Sequence, residues 1–234
     1  MSIYVIGDLH LSFSQNKPMN IFGQNWDNHE EKIMQSWKEN VKENDTVIIP
    51  GDFSWAMYLK DTFLDFEYLN KLPGKKILLK GNHDYWWTTV TSMKKYLEEN
   101  NFKNIDFLYN NSIECEDKML IGTRGWCFTD SEEGRKMINR ENQRLIISIE
   151  DAINKNTGKE LIAFMHYPPV INNQLLENDH LEFYKTLKSY DIKKCYYGHL
   201  HGKSHDGAVN GDVGGIEFCL VSADFLNFKL LKIC

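Results

Sequence analysis

The sequence predicts an α/β fold, because two patterns alternate along it and a third marks the ends of the predicted strands. Short apolar runs rich in β-branched residues are typical of buried strands, and the segments between them carry apolar residues at helical spacing. This alternation indicates helices layered on a largely parallel sheet. Five of the runs end in turns that contain Asp, Asn or His, at the place where ligands bind in such folds.

Composition indicates one folded domain that covers residues 1–234. Hydrophobic residues make up 42% of the chain and charged residues 26%, which is ordinary for a globular protein, and no Gly/Ser-rich or Pro-rich linker divides it. The net charge of −6 argues against a protein that grips nucleic acid through a broad basic face. A local cationic pocket, and with it a nucleic acid substrate, stays open.

The cysteines and the N-terminus bear on location. Five cysteines, an odd number without a Cys-x-x-Cys pair, indicate reduced thiols and a cytoplasmic location. The chain enters a predicted strand at once, without the basic and apolar regions of a signal peptide. No apolar run is long enough to span a bilayer, so no membrane partner is expected. The sequence carries no indication of oligomeric state.

The first predicted strand, residues 3–6, is followed by Asp8 and His10. Two residues apart on extended backbone, their side chains project to the same side and could together hold one metal ion. An ordinary strand-end turn is the alternative. The polar stretch 11–26 is longer than most loops and could cover the site or carry substrate contacts. Apolar residues at helical spacing predict a first helix over residues 27–41.

The second and third predicted strands lead into turns with further candidate ligands. Residues 46–49 precede Gly51-Asp52, where glycine allows a sharp turn. Residues 77–79 precede Gly81-Asn82-His83-Asp84, a succession of amide, imidazole and carboxylate that is also compatible with an ordinary turn. A helix capped by Ser54 is predicted between these strands.

The middle of the chain adds one candidate for substrate binding. A helix is predicted over residues 85–99, and Trp86 and Trp87 at its start are interpreted as core packing rather than as a stacking platform. The apolar run 118–121 then closes in a Gly-bounded turn with Arg124. A guanidinium there could fork onto phosphate oxygens, whereas a surface ion pair is the alternative reading.

The C-terminal half repeats the pattern of helix, strand and ligand. A long amphipathic helix is predicted over residues 131–154, and the next apolar run ends in His166. A shorter helix over about residues 179–189 leads to a run that ends in His199 and His201, a spacing that recurs among metal ligands.

The remaining segments are predicted to lie away from the site. The apolar stretches 216–221 and 225–233 are interpreted as the two strands of a terminal hairpin. The three histidines outside the strand-end turns, His29, His180 and His205, are interpreted as surface residues.

Seven side chains are thus candidate metal ligands: Asp8, His10, Asp52, Asn82, His166, His199 and His201. Seven ligands are too many for one ion but suit two divalent ions that share a bridging carboxylate, an arrangement known in phosphatases and nucleases. Mixed nitrogen and oxygen ligands without cysteine favour Mn, Fe, Zn, Co or Ni over Ca.

The ordered blocks Asp-x-His, Gly-Asp, Gly-Asn-His-Asp, His and Gly-His-x-His, over residues 7–201, resemble the calcineurin-like metallophosphoesterase superfamily. The resemblance implies a four-layer αββα sandwich of two mixed sheets with a dinuclear centre. It implies a first metal held by Asp8, His10 and His201, a second held by Asn82, His166 and His199, and Asp52 as the bridge. It also implies His83 as the proton donor, with Asp84 orienting it.

The resemblance further implies a phosphohydrolase in which a bridging hydroxide attacks a phosphomonoester or phosphodiester of a small molecule or nucleotide. Protein Ser/Thr phosphatases carry Gly-Asn-His-Glu, whereas position 84 is Asp, so that branch fits less well. The chain looks more like a bacterial-type subgroup of uncharacterised phosphohydrolases. The alternatives are a nuclease-type phosphodiesterase and a non-catalytic scaffold that retains the fold.

Overall fold

Two β-sheets form the centre of the molecule. The computed structural model describes residues 1–15, 17–127, 131–155, 157–170 and 181–234. The strands in chain order are β1 (Ile3–Val5), β2 (Thr46–Pro50), β3 (Lys75–Leu79), β4 (Ile105–Phe107), β5 (Ile113–Cys115), β6 (Lys118–Thr123), β7 (Glu160–Met165), β8 (Lys194–Tyr197), β9 (Gly211–Val213), β10 (Ile216–Leu220) and β11 (Leu231–Lys232). The α-helices are α1 (His29–Asn40), α2 (Phe63–Asn70), α3 (Val90–Glu99), α4 (Glu132–Asn154) and α5 (Glu182–Ser189).

Both sheets are mixed: the first has one antiparallel edge strand and the second has two. The first sheet has the order β11-β1-β2-β3-β4, and only β11 runs antiparallel to its neighbour among the described strands. The second has the order β5-β6-β7-β8-β10-β9, with β5 and β9 as antiparallel edge strands. The carboxyl ends of the parallel strands therefore lie at one rim of each sheet.

The two sheets pack face to face, and helices cover their outer faces. Side chains such as Val5 and Ile77 of the first sheet form one apolar cluster with Leu120 and Phe164 of the second. The opposite face of the first sheet packs on α1, α2 and α3, and that of the second sheet on α4 and α5. The predicted αββα sandwich is thus confirmed.

Helix α4 begins close to its predicted position, where a capping residue is present. Ser131 caps α4 by accepting a hydrogen bond from the backbone N–H of Gly134 at 3.1 Å, as the prediction for residues 131–154 requires. Helix α3 starts five residues later than predicted. Asp84 holds residues 85–87 in a turn through its carbonyl oxygen, which accepts a hydrogen bond from the N–H of Trp87 at 3.2 Å, and Thr89 supplies the cap.

Two other helix predictions differ from the structure. Ser54 caps no helix, because its hydroxyl donates instead to the buried carboxylate of Asp65, and α2 begins only at Phe63 after a 3₁₀ turn. Helix α5 begins at Glu182, and residues 179 and 180 of the predicted helix lie outside the described residues.

The predicted terminal hairpin is wrong. Strand β10 pairs in parallel with β8 in the second sheet, whereas β11 pairs with β1 in the first sheet. The tail passes from the second sheet to the first just beyond β10, where Ser222 and Gly7 form an isolated β-bridge. The hairpin in this region is instead β9 and β10, joined through Gly214 and Gly215.

Several expectations about individual residues are decided by burial. Trp86 and Trp87 are buried in the first apolar cluster, so their interpretation as packing residues is confirmed. His29 is also buried, and its interpretation as a surface residue is wrong because its ring packs against Trp26 and Phe228. His205 is partly buried, and His180 lies outside the described residues.

All five cysteines lie in the described ranges and are free thiols. None of the helices in these ranges combines the length and the apolar character needed to cross a bilayer.

Candidate metal centre

The predicted ligands meet at the rim where the carboxyl ends of both sheets come together. Asp8, Asp52 and Asn82 follow β1, β2 and β3 of the first sheet. His166 follows β7, and His199 and His201 follow β8 of the second sheet. The turns are joined by backbone hydrogen bonds, among them Gly198 N to His166 O at 3.1 Å and Asp8 N to Gly51 O at 3.0 Å.

One cluster of donor atoms is formed by Asp8, His10 and His201. Their nearest nitrogen and oxygen atoms all lie within 4.8 Å of one another. The Nε2 atoms of His10 and His201 are 3.3 Å apart, and Nε2 of His201 is 3.6 Å from Oδ1 of Asp8. These are the three residues that the resemblance assigns to the first metal.

A second cluster adjoins the first and contains the other four predicted ligands. Oδ1 of Asn82 lies 2.6 Å from Nε2 of His166 and 2.9 Å from Nδ1 of His199. Oδ2 of Asp52 lies 3.5 Å from Nε2 of His166 and 3.8 Å from Nε2 of His10. Asp52 therefore stands between the clusters, as a bridging residue must.

Asp8 reaches both clusters, which the resemblance does not imply. Its carboxylate forms a second compact group with Asp52 and His166, with donor atoms again within 4.8 Å of one another. Nδ1 of His166 is 3.7 Å from Oδ1 of Asp8. The structure thus brings all seven predicted ligands together and places two carboxylates at their centre.

Four of these residues have left-handed backbone. Positive φ angles occur at Asp8 (57°), His10 (47°), Asp52 (50°) and His199 (73°). Non-glycine residues in this region cost roughly 1–3 kcal/mol each, and Asp and His are among the side chains found there most often. The strained turns aim side chains from neighbouring strands at one point.

Two glycines of the predicted motifs leave room for ligands of other turns. A Cβ atom on Gly81 would lie 2.8 Å from Cγ of Asp52, and one on Gly198 would lie 3.2 Å from Cγ of Asp8 and still nearer to one of its carboxylate oxygens. Both carboxylates pack directly on glycine backbone. The glycine in Gly-Asn-His-Asp and in Gly-His-x-His is therefore required by close approach.

Asp84 anchors the turn that carries Asp52. Its buried carboxylate accepts hydrogen bonds from the backbone N–H groups of Asp52, Phe53, Ser54 and Gly81 at 2.7–3.2 Å, and from the indole N–H of Trp86 at 3.0 Å. Burial, reinforced by the Asp52 carboxylate, raises the pKa of Asp84 to about 7, while these N–H groups favour the ionised form.

The predicted role of Asp84 in orienting His83 does not match these contacts. No hydrogen bond joins the two side chains within the described ranges, and the buried Nδ1 of His83 has no partner there. The His83 ring packs instead on Trp55, with 4.3 Å between centroids, and lies 5.7 Å from the ring of His10. Burial lowers the pKa of His83 to about 4.

No lysine or arginine side chain of the described ranges lies beside the two central carboxylates to balance their charge. Asp8 and Asp52 are buried, and within the described ranges neither forms an ion pair with Lys or Arg. Burial raises the pKa of Asp52 well above its usual range, and the Asp8 carboxylate raises it further. Burial also raises the pKa of Asp8, but the neighbouring imidazoles of His201, His166 and His10 together outweigh this and lower it.

Three of the four candidate imidazole ligands are suited to act as neutral ligands. Burial lowers the pKa of His10 and His166 below the usual range, and that of His199 to about 4. Nδ1 of His166 lies 3.2 Å from the carbonyl oxygen of Pro50, which leaves Nε2 to face the cluster. Neutral imidazoles and an amide oxygen around two buried carboxylates fit divalent cations of the borderline class.

Asp224 is a site residue that the sequence interpretation missed. Its oxygens lie 2.8 Å from Nδ1 of His201 and 3.4 Å from Nε2 of His205, and one accepts a hydrogen bond from Gly202 N at 3.1 Å. Burial opposes a charge on His201, but the hydrogen bond to Asp224 and the nearby Asp8 carboxylate outweigh this and raise its pKa to about 10. The signal was present, because Asp224 closely follows the apolar run 216–221.

Replacing Asp224 by Asn is expected to weaken metal binding by about 10- to 100-fold, the usual effect of losing a carboxylate that orients a ligand histidine. Titration against a competing chelator measures this affinity without any assay of activity. Asp212→Asn, the same change on the exposed strand β9, is the control. Equal affinities in the two variants would show that Asp224 does not position His201.

The Arg124 side chain is not among the ligands. The backbone carbonyl oxygen of Arg124 accepts hydrogen bonds from the N–H groups of His166 and Tyr167 at 3.2 and 2.9 Å. Its guanidinium lies over the ring of Trp126, 4.6 Å from the centroid, and 3.5 Å from the buried carboxylate of Glu141. The backbone of Arg124 therefore supports the metal centre, while its side chain extends toward α4.

The loop over residues 11–26 contacts the site through Trp26. The indole packs edge-on against His10 and His201, with centroid separations of 5.9 and 5.7 Å. Met19 is also buried, and its sulfur accepts a hydrogen bond from the indole N–H of Trp55 at 3.2 Å. Of the described part of this loop, the stretch around Trp26 thus forms one wall of the first cluster.

Solved structures with the same fold come from several bacteria. A protein of unknown function from Aquifex aeolicus is 20% identical, with a TM-score of 0.52 over 99% of this chain and 95% of that one. Phosphopantetheinyl hydrolase from Mycobacterium tuberculosis is 14% identical, with a TM-score of 0.51 over 99% and 95%. A protein from Thermus thermophilus is 13% identical, with a TM-score of 0.57 over 100% and 99%. At these identities the likeness concerns the fold.

Comparison with curated proteins finds no match. The sequence model of the calcineurin-like phosphoesterases, by contrast, matches residues 1–203, a span that contains all seven predicted ligands. The protein therefore belongs to the calcineurin-like phosphoesterase family, a family of metal-dependent hydrolases of phosphoric esters.

Proposed function

We propose that the protein hydrolyses a phosphomonoester or phosphodiester of a small molecule or nucleotide at a centre of two divalent cations. The observation that supports this most directly is the pair of adjoining donor clusters that share Asp8, with Asp52 between His10 of one and His166 of the other. The proposed ligands are the seven named above, with Asp52 as the bridge. Divalent cations in such a centre polarise the phosphate and activate a water molecule near neutral pH.

The chain itself positions these groups rigidly. Asp52 is fixed at both ends, because its Oδ1 accepts the N–H of His83 at 2.8 Å and its own N–H donates to Asp84 at 3.0 Å. Asn82 immediately precedes His83 in the turn after β3, so this turn connects one cluster directly to the proposed proton donor. A rigid arrangement of this kind lowers the cost of orienting the reacting groups.

His83 is proposed to protonate the leaving oxygen. Its ring is half-buried beside His10 and is not needed as a ligand. Burial lowers its pKa to about 4, and an anionic phosphate beside the ring favours the imidazolium form. The histidine would therefore gain its proton when substrate binds and release it to the departing alkoxide.

Replacing His83 by Ala is expected to leave bound metal unchanged and to reduce kcat by about 10²- to 10⁴-fold on an alkyl phosphate, the usual contribution of a general acid. The loss should be smaller with p-nitrophenyl phosphate, whose leaving group needs little protonation. Steady-state kinetics and metal analysis of the same preparation test this. Equal losses on both substrates, or no loss, would remove His83 from the role.

The function itself is tested by a screen of the full chain with added Mn²⁺, Fe²⁺, Zn²⁺, Co²⁺ or Ni²⁺. The substrates are p-nitrophenyl phosphate, bis-p-nitrophenyl phosphate, nucleotides, cyclic nucleotides and sugar phosphates. A phosphopantetheinyl ester belongs in the panel because one structural relative is named for that hydrolysis. Turnover of the bis ester alone would favour a phosphodiesterase. A protein without metal or turnover would favour a scaffold that retains only the fold.

The proposed setting is the cytoplasm, where the five free thiols would remain reduced.

A further inference from the structure

A second polar cavity lies beside the metal centre and shares no predicted ligand with it. Its volume is about 320 Å³, and four of its lining residues are cationic: Lys80, Arg124, Arg140 and Arg144. Among the described residues that line it, Glu141 is the only acidic one. In a chain of net charge −6, four positive charges against one negative charge make this a local positive site.

Two of the guanidinium groups are held in place. Glu141 is buried, and its carboxylate accepts hydrogen bonds from Arg144 Nη1 at 2.8 Å and from Thr123 Oγ1 at 2.7 Å. Arg144 also lies over the ring of Tyr109, 5.0 Å from the centroid, in the same way that Arg124 lies over Trp126. Held planar groups of this kind suit two-point contacts with oxyanions.

Three of the four cationic side chains of this cavity have donors without a partner in the described ranges. The buried Nε of Arg124 is unpaired, and its Nη2 makes only the long 3.5 Å approach to Glu141. Lys80 and Arg140 form no hydrogen bond or ion pair with a described residue. The single carboxylate of Glu141 does not balance the charge of four cations, and cations held together without further anions repel one another. The unpaired donors indicate an anionic ligand.

The cavity lies within reach of a substrate held at the metal centre. Lys80 is two residues before Asn82, so their Cα atoms are no more than about 7 Å apart. Arg124 follows β6 at the same rim, and its carbonyl oxygen accepts the N–H of the ligand His166. Both sites thus belong to the loops at the carboxyl ends of the strands, where one ligand can span them.

We propose that this cavity, formed by Lys80, Arg124, Arg140 and Arg144, binds a second phosphate group of the substrate while the first is hydrolysed at the metal centre. The inference rests on the proposed function, because the first phosphate is the group that the metal centre would hydrolyse. It narrows the substrate class to small molecules or nucleotides with two separate phosphate groups.

The test compares matched substrates that differ only in the second phosphate: adenosine 5′-phosphate with adenosine 3′,5′-bisphosphate, and fructose 6-phosphate with fructose 1,6-bisphosphate. For the wild type, kcat/KM should be higher for a bisphosphate. Arg140→Gln and Arg124→Gln should each reduce that preference by about tenfold, roughly the worth of one charge-assisted hydrogen bond. Lys136→Gln is the control, because it removes one charge from the same helix at an exposed side chain paired with Glu132.

Calorimetric titration with inorganic phosphate provides a readout that needs no turnover. The wild type and Lys136→Gln should bind one phosphate that the Arg124→Gln/Arg140→Gln double variant does not. An unchanged substrate preference in the arginine variants, with hydrolysis retained, would overturn the inference and leave the proposed function intact. If the arginine variants lost the binding of free phosphate but kept the substrate preference, the cavity would bind free phosphate rather than a phosphate of the substrate. The inference would then also be wrong.

A wild type that hydrolysed no phosphate ester would contradict the proposed function instead. In that case a phosphate lost only in the double variant would still support the cavity as an anion site. The absence of that phosphate would refute the cavity as well.

Discussion

Replacing Asp52 by Asn is expected to reduce phosphoesterase turnover by a factor on the order of 10³ or more and to release metal. Loss of a residue that only orients a ligand commonly costs 10- to 100-fold in metal affinity or activity, and loss of the proposed bridging ligand should cost more. The amide keeps the size of the side chain but removes the negative charge between His10 and His166. Metal content by mass spectrometry and kcat on p-nitrophenyl phosphate are the measurements.

Asp45→Asn is a matched control for this change. Asp45 is also buried but lies at the amino end of the same strand, where it accepts hydrogen bonds from the N–H groups of Ser2 and Lys42. Its replacement should leave metal content and turnover close to wild type. An Asp52→Asn variant that kept full metal content and turnover would refute the bridging role.

Replacing Asp84 by Ala is expected to lower the free energy of unfolding by roughly 3 kcal/mol or more, because five buried donors lose their acceptor and each unmet donor costs about 1–3 kcal/mol. The turn after β2 would lose its anchor, so metal affinity should fall in the same variant. Urea denaturation and chelator titration measure the two effects.

The comparison variant is Asp106→Ala, which removes the partner of Lys75 and Lys94 at a partly exposed position of β4. Surface ion pairs are worth about 0–1 kcal/mol, so this variant should remain close to wild type in stability. Equal destabilisation of the two variants would mean that water replaces the Asp84 carboxylate without cost.

Local patterns were sufficient to predict the layers and the cluster of candidate ligands. Each of Asp8, Asp52, Asn82, His166 and His199 follows directly on an apolar strand, and parallel strands deliver such positions to one rim. Several of these residues are preceded by a glycine, which the sequence also shows. The carboxylates that pack against those glycines are not apparent from the sequence.

Features that depend on distant contacts were beyond such patterns. Strands β4, β5 and β9 have three residues each, too few for a clear period. The tail was assigned to a hairpin because its two apolar stretches are neighbours in sequence, whereas pairing with β1 and β8 decides their places. The direction of the Arg124 side chain depends on Glu141, which lies on α4 and not in the Arg124 turn.

The origin of the candidate ligands in both sheets has a consequence for folding. Asp8, Asp52 and Asn82 belong to one sheet, and His166, His199 and His201 to the other. Cations held by ligands of both sheets would cross-link the sheets at the open rim of the sandwich. At this rim the carboxylates of Asp8 and Asp52 lie close together in place of apolar side chains. Because ions that bind only the native chain stabilise it, by about 2.7 kcal/mol at a hundredfold excess over Kd, metal supply would govern the stability of the protein as well as its chemistry.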